Sequence, residues 1–197
     1  LKILGLQLNQ IGDAGMTALA GASGSLGNIK TLFLDGNQIG DSGMSALAGA
    51  IASGSLEKLE YLSLDKNQIG GAGMTEFSRA IASGSLGNIK HLTLEDNQIG
   101  DAGMGALSGA IASGSLRKLK RLSLKGNEIG DAGMTALAGA STSGSMAKLQ
   151  ILDQRSNAVG GAGMTEFSRA IVNGSMVNLT ELHLNRNKIG DAGMSAL

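Results

Sequence analysis

The chain has 197 residues, of which 42% are hydrophobic, and this suffices for one domain with a substantial core. Only 2% of the residues are aromatic, so Leu, Ile, Ala and Met must fill that core, as they do in proteins built from thin repeated layers. Lys and Arg together number 16, as do Asp and Glu, and this balance of charge argues against a general nucleic-acid or membrane-surface binder. The sequence contains no Cys, which excludes disulfides and thiolate metal sites.

A repeated segment organises the chain from one end to the other. The sequence NQIGDAGM starts at Asn9 and Asn97, and close variants start at Asn37, Asn67, Asn127, Asn157 and Asn187. Successive asparagines lie 28, 30, 30, 30, 30 and 30 residues apart, and a fixed period of this length is typical of a solenoid. We therefore predict a single domain over residues 1–197, with six full repeats and a partial seventh, truncated at both ends.

Each repeat predicts one β-strand followed by one α-helix. In residues 32–34 and 122–124 apolar residues alternate, as in a strand with one buried face. An aspartate then stands where a helix N-cap is expected, and Met, Leu and Ala-Ile follow at helical spacing. These aspartates are Asp13, Asp41, Asp101, Asp131 and Asp191. A Ser-Gly-Ser triplet ends the helix. The predicted fold is an α/β solenoid that curves because helices are wider than strands, with parallel strands on the concave face and helices on the convex face.

The repeat unit, LxxLxLxxNxIGDxGMxxLxxAIxSGSLxx, resembles the leucine-rich repeats of the ribonuclease-inhibitor type over the whole chain. Its glycine-rich helices and 30-residue period depart slightly from the longer units of the mammalian inhibitor. The resemblance implies a horseshoe-shaped fold and a protein partner bound on the concave face. Similar arrays serve in NOD-like receptors and in the Ran GTPase-activating protein. A regulator of a small GTPase and a ligand-sensing or spacer array of a larger receptor are therefore the alternative functions.

Three repeated columns are interpreted as structural. The asparagine that follows each strand is expected to bond to backbone groups of adjacent coils. A methionine column is expected to pack in the core rather than to bind copper; its members are Met16, Met44, Met74, Met104, Met134, Met164 and Met194. The glycine-rich GDAGM segment lacks the Lys-Ser/Thr of a phosphate-binding loop, so we attribute its glycines to a tight turn and close helix packing.

No part of the sequence predicts an active site. His91 and His183 lie about three coils apart, roughly 14 Å at strand spacing, so they cannot share a metal ion. No column places a nucleophile beside a base, and we expect no enzymatic activity, cofactor, metal or small-molecule substrate. Two glycosylation sequons, at Asn173 and Asn178, lie in a junction where chance matches are common. We therefore do not infer secretion, and we expect a cytoplasmic protein.

Recognition is expected at the strand positions that point outward, which form three rows across the coils. The first row contains Ile3, Thr31, Tyr61, His91, Arg121, Ile151 and Glu181. The second row contains Gly5, Phe33, Ser63, Thr93, Ser123, Asp153 and His183. The third row contains Gln7, Asp35, Asp65, Glu95, Lys125, Arg155 and Asn185. We predict partner contacts by Phe33, Asp35, Tyr61, Asp65, His91, Glu95, Arg121, Lys125, Asp153, Arg155 and His183.

Charge and aromatic content on these rows favour a protein partner. The third row is acidic in its first half and basic in its second, and Phe33 and Tyr61 are candidate anchors, since buried aromatics carry much of the energy of an interface. Positive charge is also concentrated at Arg117, Lys118, Lys120, Arg121 and Lys125. Because stacking aromatics do not accompany this cluster, an acidic protein surface is favoured over nucleic acid. We expect no nucleic-acid or membrane partner.

Two further expectations concern the stability of the stack. Gln154 and Ser141 replace the leucine and isoleucine that other repeats carry at the same positions, which predicts a weak contact between two neighbouring coils. The side chains of Leu4, Leu6, Ile189 and Met194 are expected to be less covered than their central counterparts, because no capping repeat is recognised at either end.

Overall fold

The computed structural model describes residues 1–196, apart from the side chain of Ser23. The strands are β1 Ile3–Gly5, β2 Thr31–Phe33, β3 Tyr61–Ser63, β4 His91–Thr93, β5 Arg121–Ser123, β6 Ile151–Asp153 and β7 Glu181–His183. The helices are α1 Asp13–Gly21, α2 Ser23–Leu26, α3 Asp41–Ala52, α4 Gly71–Ala82, α5 Gly100–Ala112, α6 Asp131–Ser141, α7 Gly161–Val172 and α8 Gly190–Met194. The seven strands form one parallel sheet in sequence order, which confirms the predicted α/β solenoid.

Each strand has three residues, and its central leucine faces the core. The leucine one residue beyond the strand also faces the core. Leu32 and Leu34 are both fully buried, as are their counterparts in the next coils. The helices end where the sequence predicts. At the end of α3, Gly54 adopts a φ of +80°, a left-handed conformation that glycine accepts without steric cost. Helix axes pack about 8–10 Å apart whereas strands lie about 4.8 Å apart, so the stack curves with the sheet on its inner side.

The repeated columns form one continuous core between the sheet and the helices. Met44, Met74 and Met104 are fully buried, which confirms the packing interpretation of the methionine column. The asparagines Asn67, Asn97 and Asn127 are buried as well, and their amides bond to the backbone of their own and adjacent coils, as predicted. Of the described residues, none belongs to a helix long and apolar enough to cross a bilayer.

The aspartate at each helix start acts on the neighbouring coil, and the expectation that it caps its own helix is wrong. In α3 the N-cap is the extended residue Gly40, which receives no side-chain cap, and Asp41 is the first helical residue. The Oδ1 atom of Asp41 instead accepts hydrogen bonds from the amides of Gly70 and Gly73 in the next coil, both at 2.8 Å. Asp13, Asp101 and Asp131 make the same pair of bonds.

This inter-coil contact also explains the glycine column. A Cβ atom on Gly73 would lie 2.6 Å from the Oδ1 atom and 2.9 Å from the Cα atom of Asp41, so only glycine allows the helices to approach this closely. Where the aspartate is replaced by Gly71, the next helix, α5, starts one residue earlier, at Gly100, which adopts a φ of +58°. Close packing therefore accounts for the GDAGM motif, as the sequence analysis expects.

Gln154 marks a weak point in the core. Its side chain is fully buried; the Oε1 atom accepts a hydrogen bond from Asn157 at 3.1 Å, but the Nε2 atom has no partner among the described residues. Ser141, the other polar replacement, is also fully buried, but its hydroxyl donates to the carbonyl of Ala138 at 2.7 Å. The cost of buried polarity therefore falls on Gln154.

We expect Gln154→Leu to raise the free energy of unfolding by about 1 kcal/mol or more, because it removes an unpaired amide from the core. Urea denaturation followed by circular dichroism measures the change. Ser141→Ile is the comparison variant, and it should stabilise the chain less because Ser141 already has a hydrogen-bond partner. An unchanged or lower denaturation midpoint for Gln154→Leu would contradict the assignment.

The terminal coils are less covered than the central ones, as predicted. Leu4, Leu6 and Ile189 are only partly buried, and Met194 is 58% exposed, whereas the methionines of the six preceding coils are fully buried. The apolar layers of a solenoid are covered only by their neighbours, so the first and last layers keep one open side.

Candidate protein-binding surface

The first two rows of the sheet face together carry a stack of three rings, Phe33, Tyr61 and His91. Tyr61 on β3 lies opposite Thr31 on β2 and His91 on β4. Phe33, also on β2, lies beside Tyr61. The ring centroids of Phe33 and Tyr61 are 5.2 Å apart, and those of Tyr61 and His91 are 5.4 Å apart and stacked. All three side chains are half-buried. Their mutual contact limits rotamer freedom, so the stack presents a rigid apolar surface.

The second row is buried in its middle, although it lies on the outer side of the sheet, so the predicted partner contact by Asp153 does not fit the structure. Ser63, Thr93, Ser123 and Asp153 are at most 4% exposed, and third-row side chains bond to three of them: Asp35 to Ser63, Glu95 to Ser123 and Arg155 to Asp153. Asp153 in particular is fully buried and forms a bidentate ion pair with Arg155. It holds Arg155 in place and offers a partner no accessible surface.

The acidic part of the third row binds the backbone of the neighbouring coils. The Oδ1 atom of Asp35 accepts a bond from the amide of Asp65 at 3.1 Å, and the Oδ1 atom of Asp65 accepts one from the amide of Glu95 at 2.7 Å. The hydroxyl of Ser63 also donates to Asp35, and that of Ser123 donates to the Oε1 atom of Glu95 at 2.6 Å. Asp35 and Asp65 thus bind the backbone of the next coil and Glu95 binds the Ser123 hydroxyl, which fixes the three carboxylates in a line.

Asp65 is partly buried in the middle of this acidic line. Burial raises the pKa of Asp65 to about 6, and the charges of Glu95 and Asp35 act in the same direction, against the lowering effect of the hydrogen bonds from the Glu95 amide and from Thr93. Burial, followed by the nearby Asp65 charge, also raises the pKa of the Tyr61 phenol. The acidic line is therefore most fully charged above neutral pH.

We expect the stability of the chain to show a pH dependence that originates at Asp65. Because its pKa is about 6 in the folded state and 3.8 when exposed, folding favours the neutral acid, and this contribution is lost as the pH rises through about 6. Asp65→Asn keeps the acceptor for the Glu95 amide and removes the titration. Urea midpoints of the two proteins should coincide near pH 4 and diverge near pH 8, where the variant should be more stable. Parallel curves over this range would contradict the shift.

The basic part of the third row is largely neutralised within the protein. Arg155 pairs with Asp153, and this bond together with the Asp153 charge raises the pKa of the guanidinium. Lys125 lies 3.4 Å from the Oδ2 atom of Asp96 and 3.8 Å from the Oε2 atom of Glu95. Both cations line a cleft of about 240 Å³ with Ser156, Asn185 and Arg186. Of the cations predicted on the face, Arg121 alone has no ion pair among the described residues.

The two histidines remain separate, as the repeat spacing predicts. His91 lies on β4 in the first row, whereas His183 lies on β7 in the second row and contacts the Oε2 atom of Glu181 at 3.2 Å. Within residues 1–196 there is no group of three or more His, Cys, Asp or Glu side chains arranged to hold a metal ion.

Two related grooves cross the outer helix layer and were not anticipated from the sequence. One lies between α3 and α4 with a volume of about 350 Å³, and the other lies between α6 and α7 with a volume of about 190 Å³. Both are floored by small side chains and carry an ion pair, between Arg79 and Glu76 at 2.7 Å and between Arg169 and Glu166 at 2.5 Å. In the sequence, these grooves are marked only by the segment GGAGMTEFSRAI, which occurs twice, at residues 70–81 and 160–171. Neither groove offers an aromatic surface, so the sheet face remains the stronger candidate.

Comparison with known proteins agrees with this architecture. A family model described as Leucine Rich repeat matches residues 1–20, 28–48, 55–78, 88–108, 115–138 and 175–197. Residues 139–174, which contain Gln154, lie outside the matched segments. No curated protein matches the chain. Repeats of this family are protein-interaction modules, and the matched segments cover more than half of the sequence. The chain belongs to the leucine-rich-repeat family.

Proposed function

We propose that this chain binds a protein partner on the concave face of its sheet, through the ring stack of Phe33, Tyr61 and His91 and the adjacent acidic line of Asp35, Asp65 and Glu95. The observation that carries the proposal is the ring stack. In a protein with one Tyr and three Phe, two of these rings lie together on the sheet surface rather than in the core. We also propose that the repeats are of the ribonuclease-inhibitor type, which the alternation of one strand and one helix in a 30-residue period supports.

The physical properties of this patch suit recognition. Rigid aromatic side chains contribute large contact area at low entropic cost and dominate interface energies. The acidic line adds charges about 5 Å apart, which a basic partner surface can neutralise and which would exclude an acidic one. Because backbone amides hold the carboxylates of Asp35 and Asp65 in place, and the Ser123 hydroxyl holds that of Glu95, binding need not order them.

The proposal is tested by site-specific photo-crosslinking followed by affinity measurement. A photoreactive amino acid placed at Tyr61 should yield a covalent adduct with the partner, whereas one placed at Ser45, exposed on the outer side of α3, should not. With the identified partner, Tyr61→Ala should weaken binding by about tenfold or more, because it removes the central ring of the stack.

Ser45→Lys is the matched control, and it should change affinity by less than about twofold, since isolated surface charges far from an interface contribute little. Circular dichroism of both variants confirms that they fold. If Ser45→Lys abolishes binding and Tyr61→Ala does not, the partner docks on the helices and the proposed face is wrong.

A further inference from the structure

A cluster of cations lies at the edge of the sheet where the strands begin, beside the ring stack and outside the acidic line; one of its members, Arg121, is the neighbour of His91 in the sheet. In the turn from α5 to β5, Leu116 and Leu119 are 1% and 3% exposed and anchor the backbone in the core. Arg117 and Lys118, which lie between these leucines, and Lys120, which follows them, are exposed to solvent. We name as the basic edge the residues Arg117, Lys118, Lys120, Arg121 and Lys148, the last of which occupies in the following coil the position of Lys118.

This concentration of charge belongs to one coil and does not follow from the repeat. The four corresponding positions of the preceding coil hold Gly87, Asn88, Lys90 and His91, and those of the coil before that hold Glu57, Lys58, Glu60 and Tyr61. In the coil of β5 all four positions are cationic, in a protein whose formal net charge is zero. In this turn Leu116 and Leu119 are the residues that belong to the hydrophobic core, so packing of the core does not require the cationic side chains.

The cations of the basic edge are not paired with a carboxylate in the part of the chain that the structure describes. The neighbouring lysines differ: Lys30 and Lys90 lie 2.7 and 2.6 Å from the two oxygens of Glu60, and their hydrogen bonds lower the pKa of Glu60 to about 2. The five cations therefore repel one another, and binding of an external anion would reduce this repulsion.

The nearby histidine responds to this positive field. Burial is the largest cause of the lowered pKa of His91, and the charges of Arg121, Lys120 and Lys90 add to it. One side chain of the basic edge, Lys118, is already held by a hydrogen bond. The Nζ atom of Lys118 donates to the Oδ1 atom of Asn88 at 2.7 Å, so binding would not have to immobilise this side chain.

We propose that the basic edge docks an acidic, Asp- or Glu-rich segment of a protein partner. The inference rests on the proposed function, since it assumes a protein partner, but it uses a different surface from the ring stack. Charge complementarity favours an anionic occupant, and two features favour protein over nucleic acid. The basic edge spans only two coils, about 5 Å apart, and the coil before it carries a single cation at the corresponding positions, Lys90, which is paired with Glu60. The rings beside it, Tyr61 and His91, stack on each other and leave no free face between them for bases.

The test uses a fluorescently labelled decaglutamate peptide and an oligothymidylate of equal length, with fluorescence anisotropy at low and physiological salt. We expect the peptide to bind, with an affinity that falls as salt rises. The triple variant Arg117→Ala, Lys120→Ala, Lys148→Ala should weaken peptide binding by about tenfold or more. A control variant that loses the same number of cations elsewhere, Lys2→Ala, Arg79→Ala, Arg169→Ala, should retain it within about twofold.

Three outcomes would overturn the proposal: no binding of the peptide to the unchanged protein, equal weakening by both triple variants, or tighter binding of the oligonucleotide than of the peptide. None of these outcomes concerns Tyr61, so the proposed function can fail or stand independently. Conversely, if Tyr61→Ala leaves partner binding intact while the peptide still needs the basic edge, the edge is a docking site and the sheet face is not.

Discussion

Asn97→Ala is expected to lower the free energy of unfolding by roughly 1–3 kcal/mol, because it removes the partners of buried backbone groups. The Nδ2 atom of Asn97 donates to the carbonyls of Leu64 and Leu94 at 3.0 and 3.1 Å. Its Oδ1 atom accepts from the amide of Ile69 at 3.1 Å. The two carbonyls keep a bond to another asparagine, but the amide of Ile69, a fully buried residue, would be left without a partner. Urea denaturation measures the loss.

The first coil supplies a matched control for this variant. Asn9 occupies the same column but is exposed, and among the described residues its side-chain amide makes a single bond, to the carbonyl of Gln7 at 2.9 Å. Asn9→Ala should therefore change stability by less than about 0.5 kcal/mol. If Asn9→Ala and Asn97→Ala destabilise the chain equally, the cost arises from local turn conformation and the inter-coil ladder is not its source.

Asp41→Ala is expected to destabilise the chain by about 1.5–3 kcal/mol, since hydrogen bonds to a charged group are roughly twice as strong as neutral ones. The variant removes the oxygen that accepts hydrogen bonds from the amides of both Gly70 and Gly73 at the start of α4. The helix dipole also favours a negative charge at this position. Asp41→Asn keeps a neutral Oδ1 acceptor and should lose about half as much. Hydrogen exchange should show faster exchange at Gly70 and Gly73, in the coil that follows the substitution.

Asp191 provides the corresponding control. It is exposed, and its side chain accepts no hydrogen bond from any described residue of a following coil. Asp191→Ala should leave the denaturation midpoint nearly unchanged, within about 0.5 kcal/mol. Loss of protection in the substituted coil itself, at the start of α3, would show that Asp41 serves its own helix and would refute the inter-coil contact.

The sequence determined the fold almost completely. Alternation at residues 32–34, helical spacing after each aspartate and a 30-residue period each predict local structure, and their repetition leaves one way to bury all the leucines. The same argument places Asn97 and Met104 in the core. These positions follow from periodicity alone, because every internal coil packs against two copies of nearly the same surface.

The candidate site was predicted only in part. The sequence identifies Phe33, Tyr61 and Asp65 as outward-facing, and the structure places them side by side on the sheet. It gives no sign that Asp153 lies buried beneath Arg155, because outward direction does not determine exposure. Whether a short side chain is covered depends on the length and charge of its neighbours on the adjacent coils.

Tertiary structure alone decided which charges are free. In the sequence, Lys125 and Arg155 are as cationic as Arg117 and Lys120. In the folded chain the first two meet carboxylates across or within coils, and the last two do not. It likewise decided that Asp41 caps the helix of the following coil, since that contact joins residues 29 and 32 positions apart. Periodicity specifies which residues face the core, but pairing between side chains depends on distances of a few ångströms between coils, which only the stacked structure defines.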